Sequence, residues 1–225
     1  MIIVTSLAPG HRNAEVQHET LKSWQKFNCE IYSMNSPAEI DVLEEKYNGL
    51  WFTETHRTIQ NLVAKPMVSI NAMIDFAIDQ DEDLLLVNSD IILNSLPEFK
   101  DDGITIFSRY DFTESFEDAK YFPWGYDVFY IPKQFLKIFP PSIFSMGVSH
   151  WDHWLPLTAI RSDVPVYYPK GRYAYHKWHE TQYRNSEWEF IGSYFKWHFG
   201  WDKNMNVGQI ATATMNTIKS KMITV

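Results

Sequence analysis

Four apolar residues, Leu84 to Val87, run straight into Asn88-Ser89-Asp90, and Ile91, Ile92 and Leu93 resume at once. Solvated turns are usually built from Gly, Pro or several charges. Here a single carboxylate closes an apolar strand and stands between two pieces of core. A carboxylate mounted so rigidly suits a hard divalent cation, which prefers oxygen ligands and accepts water and phosphate beside them. The plainer alternative is a polar turn in which Asp90 bonds backbone N–H groups.

A second carboxylate, Asp152, is set between Trp151 and His153, with Trp154 beyond. Indole faces at Trp151 and Trp154 can stack on sugars. An aspartate in apolar surroundings has a raised pKa and can take a proton from an attacking hydroxyl. Asp is equally suited to an N-cap. In Phe122-Pro123-Trp124-Gly125-Tyr126-Asp127, Gly125 permits close backbone approach to a ligand. Trp124 and Asp127 are then candidates for sugar contact, although Asp127 can also cap the strand it opens. Arg109 and Asp111 follow another strand end and would line the same pocket. Arg57 and Lys65 are candidate phosphate partners, against the background that exposed basic residues are common.

The elements that must position these groups alternate in the first half. MIIVTS, CEIYSM, LWFTE and LLLVN read as strands. Between them, Asn13 caps a helix with apolar positions at Val16, Leu21, Trp24 and Phe27. Ser36 to Glu39 form a capping box with Pro37 at the first helical position. Pro66 opens a third helix through about Ile78. Such alternation predicts an α/β fold with a mainly parallel sheet and helices on both faces, whose ligands bind beyond the carboxyl ends of the strands. Thr5-Ser6, Asn35 and Asn88-Ser89-Asp90 all lie at those ends. The second half is less regular: ITIFS, DVFYI and VPVYYP are strands, PKQFLKIF a short helix, WDHWLPLTAI a helix broken or strained at Pro156, and the tail from Val207 to Met222 a last helix.

Composition narrows the function. Of 225 residues, 45% are hydrophobic and 16% aromatic, so a packed core is expected. A net charge of −8 argues against a nucleic-acid-coating surface. One cysteine, Cys29, precludes an internal disulfide and fits a reducing compartment. Without a signal peptide or an apolar run of about 18 residues, the expected location is cytoplasmic, with no transmembrane segment.

The ordered stretches TSLAPG, LKSW, YSMNSPAEI, KPMVSINAMI, LLLVNSDIIL, GYDVFYIP and WDHWL resemble the nucleotide-sugar-dependent glycosyltransferases of the GT-A fold, over roughly residues 1 to 180. The resemblance implies a single Rossmann-like domain over 1–225, with a nucleotide-binding half to about 95 and an acceptor-side half with C-terminal helices from about 96. Asn88-Ser89-Asp90 then stands where the family carries Asp-x-Asp, with Asn in place of the first Asp. Asp90 is the implied ligand of Mn²⁺ or Mg²⁺, beside the diphosphate of a UDP- or GDP-linked sugar. A late histidine, His176 or His179, is implied as a further ligand. His176 is preferred because it follows its strand more closely, and His198 is assigned to packing or to the surface. Thr5, Ser6, Leu7 and Asn35 would receive the base, and Asn88 and Ser89 the diphosphate. Trp-Asp-x-Trp resembles an acceptor-side motif, which implies a transfer to a hydroxyl on a glycan or other acceptor with Asp152 as the base if the reaction inverts, and as a group that only orients the acceptor if it retains configuration. Two alternatives stand beside this one: a nucleotidyltransferase, and a catalytically silent GT-A-like module that binds sugar or nucleotide.

Overall fold

The computed structural model describes residues 1–10, 14–179 and 185–225. Strand β1 (Ile2–Thr5) is buried along its whole length, as a strand covered on both faces must be. Helix α1 (Ala14–Trp24) buries Val16, Thr20, Leu21 and Trp24; its expected cap, Asn13, lies outside the described residues. Strand β2 (Ile31–Asn35), helix α2 (Pro37–Leu43) and strand β3 (Trp51–Glu54) follow. The capping box of α2 forms: Glu39 accepts from the Ser36 N–H at 3.1 Å and from its hydroxyl at 2.8 Å.

After the one-turn α3 (Gln60–Val63), helix α4 (Ile70–Asp79) starts from Ser69 and not from Pro66. The residues between are extended because neighbouring loops hold them. Met67 O accepts from Ile59, Ser69 N donates to Arg57 O, and Val68 O accepts from Met146. Strands β4 (Leu84–Val87), β5 (Ile91–Leu93), β6 (Ile104–Phe107), β7 (Tyr110–Phe112), β8 (Lys120–Tyr121) and β9 (Val128–Ile131) come next. The expected short helix after β9 is a 3₁₀ segment, Lys133–Ile138.

Helix α5 (Trp151–Arg161) runs through Pro156. Proline costs a helix interior about 3 kcal/mol. Full burial of Leu155 alone returns roughly 1.5–3 kcal/mol, and Trp154 and Leu157 are also buried, so packing outweighs the lost bond. Strands β10 (Val166–Tyr168) and β11 (Ala174–Lys177), helices α6 (Asn185–Phe199) and α7 (Val207–Lys221), and strand β12 (Ile223–Thr224) complete the chain. Asn206 caps α7 through a box with Gln209, the two side chains each bonding the other's backbone N–H at 2.9 Å.

The central sheet has the order β12-β10-β6-β9-β4-β1-β2-β3. Only β9 runs antiparallel within it. Ile2 and Val4 join the core beneath α4–α7, while Ile3 and Leu85 join the core beneath α1 and α2. The result is a mixed α/β fold with a mainly parallel, Rossmann-like sheet flanked by helices. The chain moves outward from β1 to β2 and β3, then returns to place β4 on the other side of β1. Ligands of open α/β sheets bind at such a reversal, beyond the carboxyl ends. A second sheet, β5-β11-β7-β8, stands at that edge. No helix among the described residues is long and apolar enough to cross a membrane.

Candidate functional site

Asn88, Ser89 and Asp90 link β4 in the large sheet to β5 in the small one. In the small sheet β11 lies between β5 and β7, with His176 opposite both Ile91 and Asp111. His176 is therefore inside its strand, where sequence reasoning expected it past the end. Its ring is buried, and its Nε2 is 3.5 Å from Asp90 Oδ2. His179, just beyond the strand, brings its Nε2 to 3.3 Å from the same oxygen. One carboxylate oxygen and two imidazole nitrogens thus converge, all within 4.8 Å of one another.

A chain of polar contacts fixes this arrangement. His176 Nδ1 is 2.9 Å from Asp111 Oδ1, which also accepts from Arg109 Nε at 2.7 Å. Arg109 Nη1 reaches both oxygens of Asp127, at 3.0 and 3.1 Å, and Asn88 Nδ2 donates to Asp127 Oδ1 at 2.8 Å. The Arg109 guanidinium also lies over the Phe122 ring, 4.2 Å from its centroid. An Nδ1–H held by a carboxylate leaves Nε2 as the ligating atom, the usual supporting arrangement of a metal-bound histidine. Burial alone would lower the His176 pKa. The bonds to Asp111 and Asp90 and the charge on Asp90 outweigh it and raise the pKa to about 9. Desolvation pushes Asp111 up, but its bond to His176 and its pairing with Arg109 hold it below the ordinary carboxylate range.

Asp152 stands at the start of α5, in contact with the strap 122–127. Its Oδ2 accepts from the Tyr126 N–H at 3.3 Å and lies 3.9 Å from His153 Nε2. Gly125 is what admits the carboxylate: a Cβ on Gly125 would meet Asp152 Oδ2 at 2.6 Å. The close approach expected of Gly125 is thus made by a side chain of the protein. Burial pushes the Asp152 carboxyl up; His153 opposes this, and Asp127 adds to it. Trp124, which precedes Gly125 on the strap, is 63% exposed.

Several expected contacts do not form. Trp151 and Trp154 are buried in the core, against Phe129 and Phe144 respectively, and cannot stack on a sugar. Helix α5 is covered on nearly all sides, which leaves neither ring a face toward solvent. Asp127 is buried and engaged with Arg109 and Asn88, so it does not meet sugar hydroxyls. Arg109 and Asp111 are likewise turned to the histidine and not to a sugar pocket. Thr5, Leu7 and Asn35 are sealed from solvent. Asn35 donates to Leu7 O at 2.8 Å and accepts from Ser33 Oγ at 2.6 Å, which ties the β1 exit to β2 and uses up its amide. Arg57 pairs with Asp75, and Lys65 with Glu187. Ser6 and Ser89 remain half-exposed at the carboxyl edge. His198 packs as expected, its Nε2 3.3 Å from Trp154 Nε1.

Two further histidines escaped sequence reasoning. His153 Nε2 is 3.3 Å from Trp124 O, which anchors the strap to α5. His150 adopts a left-handed backbone, φ 68°, and its buried ring nitrogens have no hydrogen-bond partner among the described residues. Burial, helped by His153, lowers its pKa to about 3. Their clustering in SHWDH was the available signal, but nothing in it distinguishes a packed ring from a working one. The chain matches no protein-family model, and no curated protein matches it.

Proposed function

We propose that the protein is a glycosyltransferase of the GT-A fold, moving a sugar from a UDP- or GDP-linked donor to an acceptor hydroxyl. The observation that carries this is the convergence of Asp90, His176 and His179 beyond β4, at the reversal in strand order where open α/β sheets bind ligands. These three residues would hold a divalent cation. Two imidazoles to one carboxylate favour Mn²⁺ over Mg²⁺, which seeks oxygen ligands and near-octahedral geometry. When bound, such a cation neutralises the charge that grows on the leaving diphosphate.

The protein's own groups divide the remaining work. Asp111, braced by Arg109, keeps the His176 ring oriented so that Nε2 faces Asp90. Ser6 and Ser89 border the space where a nucleotide diphosphate would lie. Asp152 takes the proton from the acceptor hydroxyl as it attacks the anomeric carbon, and its raised pKa suits it to that task. A single displacement with Asp152 as base would invert the anomeric centre.

The test is nucleoside diphosphate release from a panel of nucleotide sugars with Mn²⁺, for the wild type and Asp90→Ala. A loss of at least about a hundred-fold is expected; unchanged turnover in the variant would sink the metal role. Pyrophosphate release would point to a nucleotidyltransferase. Donor binding without turnover on any acceptor would point to a silent binding module.

A further inference from the structure

We infer that Gln17 is a positioning residue for the nucleotide: its buried amide clamps the loop leaving β1 to the turn leaving β4 and sets the gap in which a nucleoside diphosphate is held. Only the identity of that ligand rests on the transfer reading; the clamp rests on its own contacts.

Helix α1 turns Gln17, Leu21 and Trp24 to the core, and the Gln17 side chain is fully buried. A buried amide is costly unless its hydrogen bonds are made. An amide can be seated two ways round. One way sets Oε1 against the Ala8 carbonyl and Nε2 against the Ala8 N–H, like against like. Turned over, Nε2 donates to the Tyr47 hydroxyl at 2.7 Å and to Ala8 O at 3.3 Å, and Oε1 accepts from the Ala8 N–H at 3.2 Å. The Ser89 hydroxyl, 3.4 Å from that end of the amide, is then the second donor to Oε1. One side chain thus holds both backbone polar groups of Ala8 and the hydroxyl of Ser89.

The surroundings turn this clamp into a frame. On the loop, Leu7 N–H donates to Ser33 Oγ at 3.0 Å, Leu7 O accepts from Asn35 at 2.8 Å, and Pro9 O accepts from Lys46 at 3.0 Å. Ala8 between them is exposed, yet its backbone is tied inward by Gln17. On the other side, α1 holds the chain after Asp90. Trp24 Nε1 donates to Ile91 O at 2.9 Å, and Ser23 Oγ accepts from the Leu93 N–H at 3.0 Å. Strands β1 and β4 are neighbours in the sheet, and the strand order reverses between them. Their carboxyl ends bound the crevice in which open α/β sheets take nucleotides. A crevice whose two walls are already fixed to one another spares the ligand the cost of ordering them.

The experiment measures three quantities in wild type, Gln17→Met, Tyr47→Phe and Ser89→Ala: calorimetric affinity for UDP and GDP with Mn²⁺ present, affinity for Mn²⁺ alone, and thermal midpoint. Methionine fills the space of glutamine without its amide. Gln17→Met is expected to lose about ten-fold or more in nucleotide affinity, with Mn²⁺ affinity unchanged. Tyr47→Phe takes a bond from the same amide but touches neither loop nor turn, so it should lower the midpoint and leave nucleotide affinity in place. Gln17→Met combined with Ser89→Ala should cost less than the two losses added, because both break one contact. Three results overturn the inference and leave the transfer reading standing: equal nucleotide affinity in Gln17→Met, a parallel fall in its Mn²⁺ affinity, or an equal loss in Tyr47→Phe. Should Gln17→Met not fold, Ser89→Ala carries the test, since Ser89 is half-exposed; unchanged nucleotide affinity there overturns the inference as well. A wild type that binds neither nucleotide overturns the transfer reading and, with it, the ligand named here.

Discussion

Replacing Asn88 by Asp would give the sequence the second carboxylate that the Asp-x-Asp pattern calls for, and the structure says that it should do harm. Asn88 Nδ2 is 2.8 Å from Asp127 Oδ1. Asn88→Asp deletes a hydrogen bond to a charged acceptor, about 1.5–3 kcal/mol. It also sets two carboxylates in contact. At that separation their repulsion is about 6 kcal/mol at an effective dielectric of about 20. Keeping one of them protonated is cheaper: about 1.4 kcal/mol for each pH unit above an ordinary carboxylate pKa of about 3.9, so about 4 kcal/mol at pH 7. Arg109, already on both oxygens of Asp127, relieves part of this. The expected destabilisation is about 2–4 kcal/mol at pH 7 and about half that at pH 5. The sign follows from linkage. The shared proton raises a folded-state pKa, so stability is intact below the unfolded pKa and is lost as pH rises through the folded one. Urea unfolding at pH 5, 6 and 7 measures the difference, and a Mn²⁺ titration should show no gain in affinity. If Asn88→Asp is as stable as wild type at pH 7 and binds Mn²⁺ more tightly, position 88 faces the ion, and the link to Asp127 is not what selects asparagine.

Asp111→Ala removes the acceptor that orients His176; Mn²⁺ affinity by calorimetry should fall about 10–100-fold, with His176→Ala falling at least as far. Gly125→Ala should leave the fold nearly as stable, because a short side chain can swing away, but it displaces Asp152 from the Tyr126 N–H. Transfer should drop about 100-fold with Mn²⁺ affinity unchanged, and wild-type turnover would show that the Asp152 position is immaterial. His150 is neutral when folded, with a pKa of about 3, and unfolded histidine titrates near 6.5. The unfolded state therefore binds more protons below that value, and stability falls as pH drops from about 6.5 toward 3, by about 2–3 kcal/mol at pH 4.5. Asn tolerates the left-handed backbone, so His150→Asn should lose that part of the acid sensitivity in urea melts at pH 7 and 4.5; identical pH slopes would contradict the burial argument.

Much of the architecture is written locally. Runs such as Ile2–Thr5 and Leu84–Val87 are almost wholly apolar, so they must be covered on both sides, and their alternation with helices predicts a mainly parallel sheet. The capping box of α2 and the carboxylate past β4 are equally local, which is why they could be read off the chain. The partners of that carboxylate were harder. His176 and His179 lie 86 and 89 residues beyond Asp90, and only the pairing of β11 with β5 brings them to it. No spacing rule could tell which ring nitrogens would point inward. Burial decided the rest. Trp151, Trp154 and Asp127 have the residue types of a sugar site, but the packing of α5 against the sheet and the Asn88–Asp127–Arg109 contacts turn them into supports. Trp124 has the same residue type, and the strap leaves it outside. A side chain's chemistry belongs to the sequence; whether that chemistry meets solvent or another side chain is settled by contacts between residues far apart in the chain, and those exist only once it has folded.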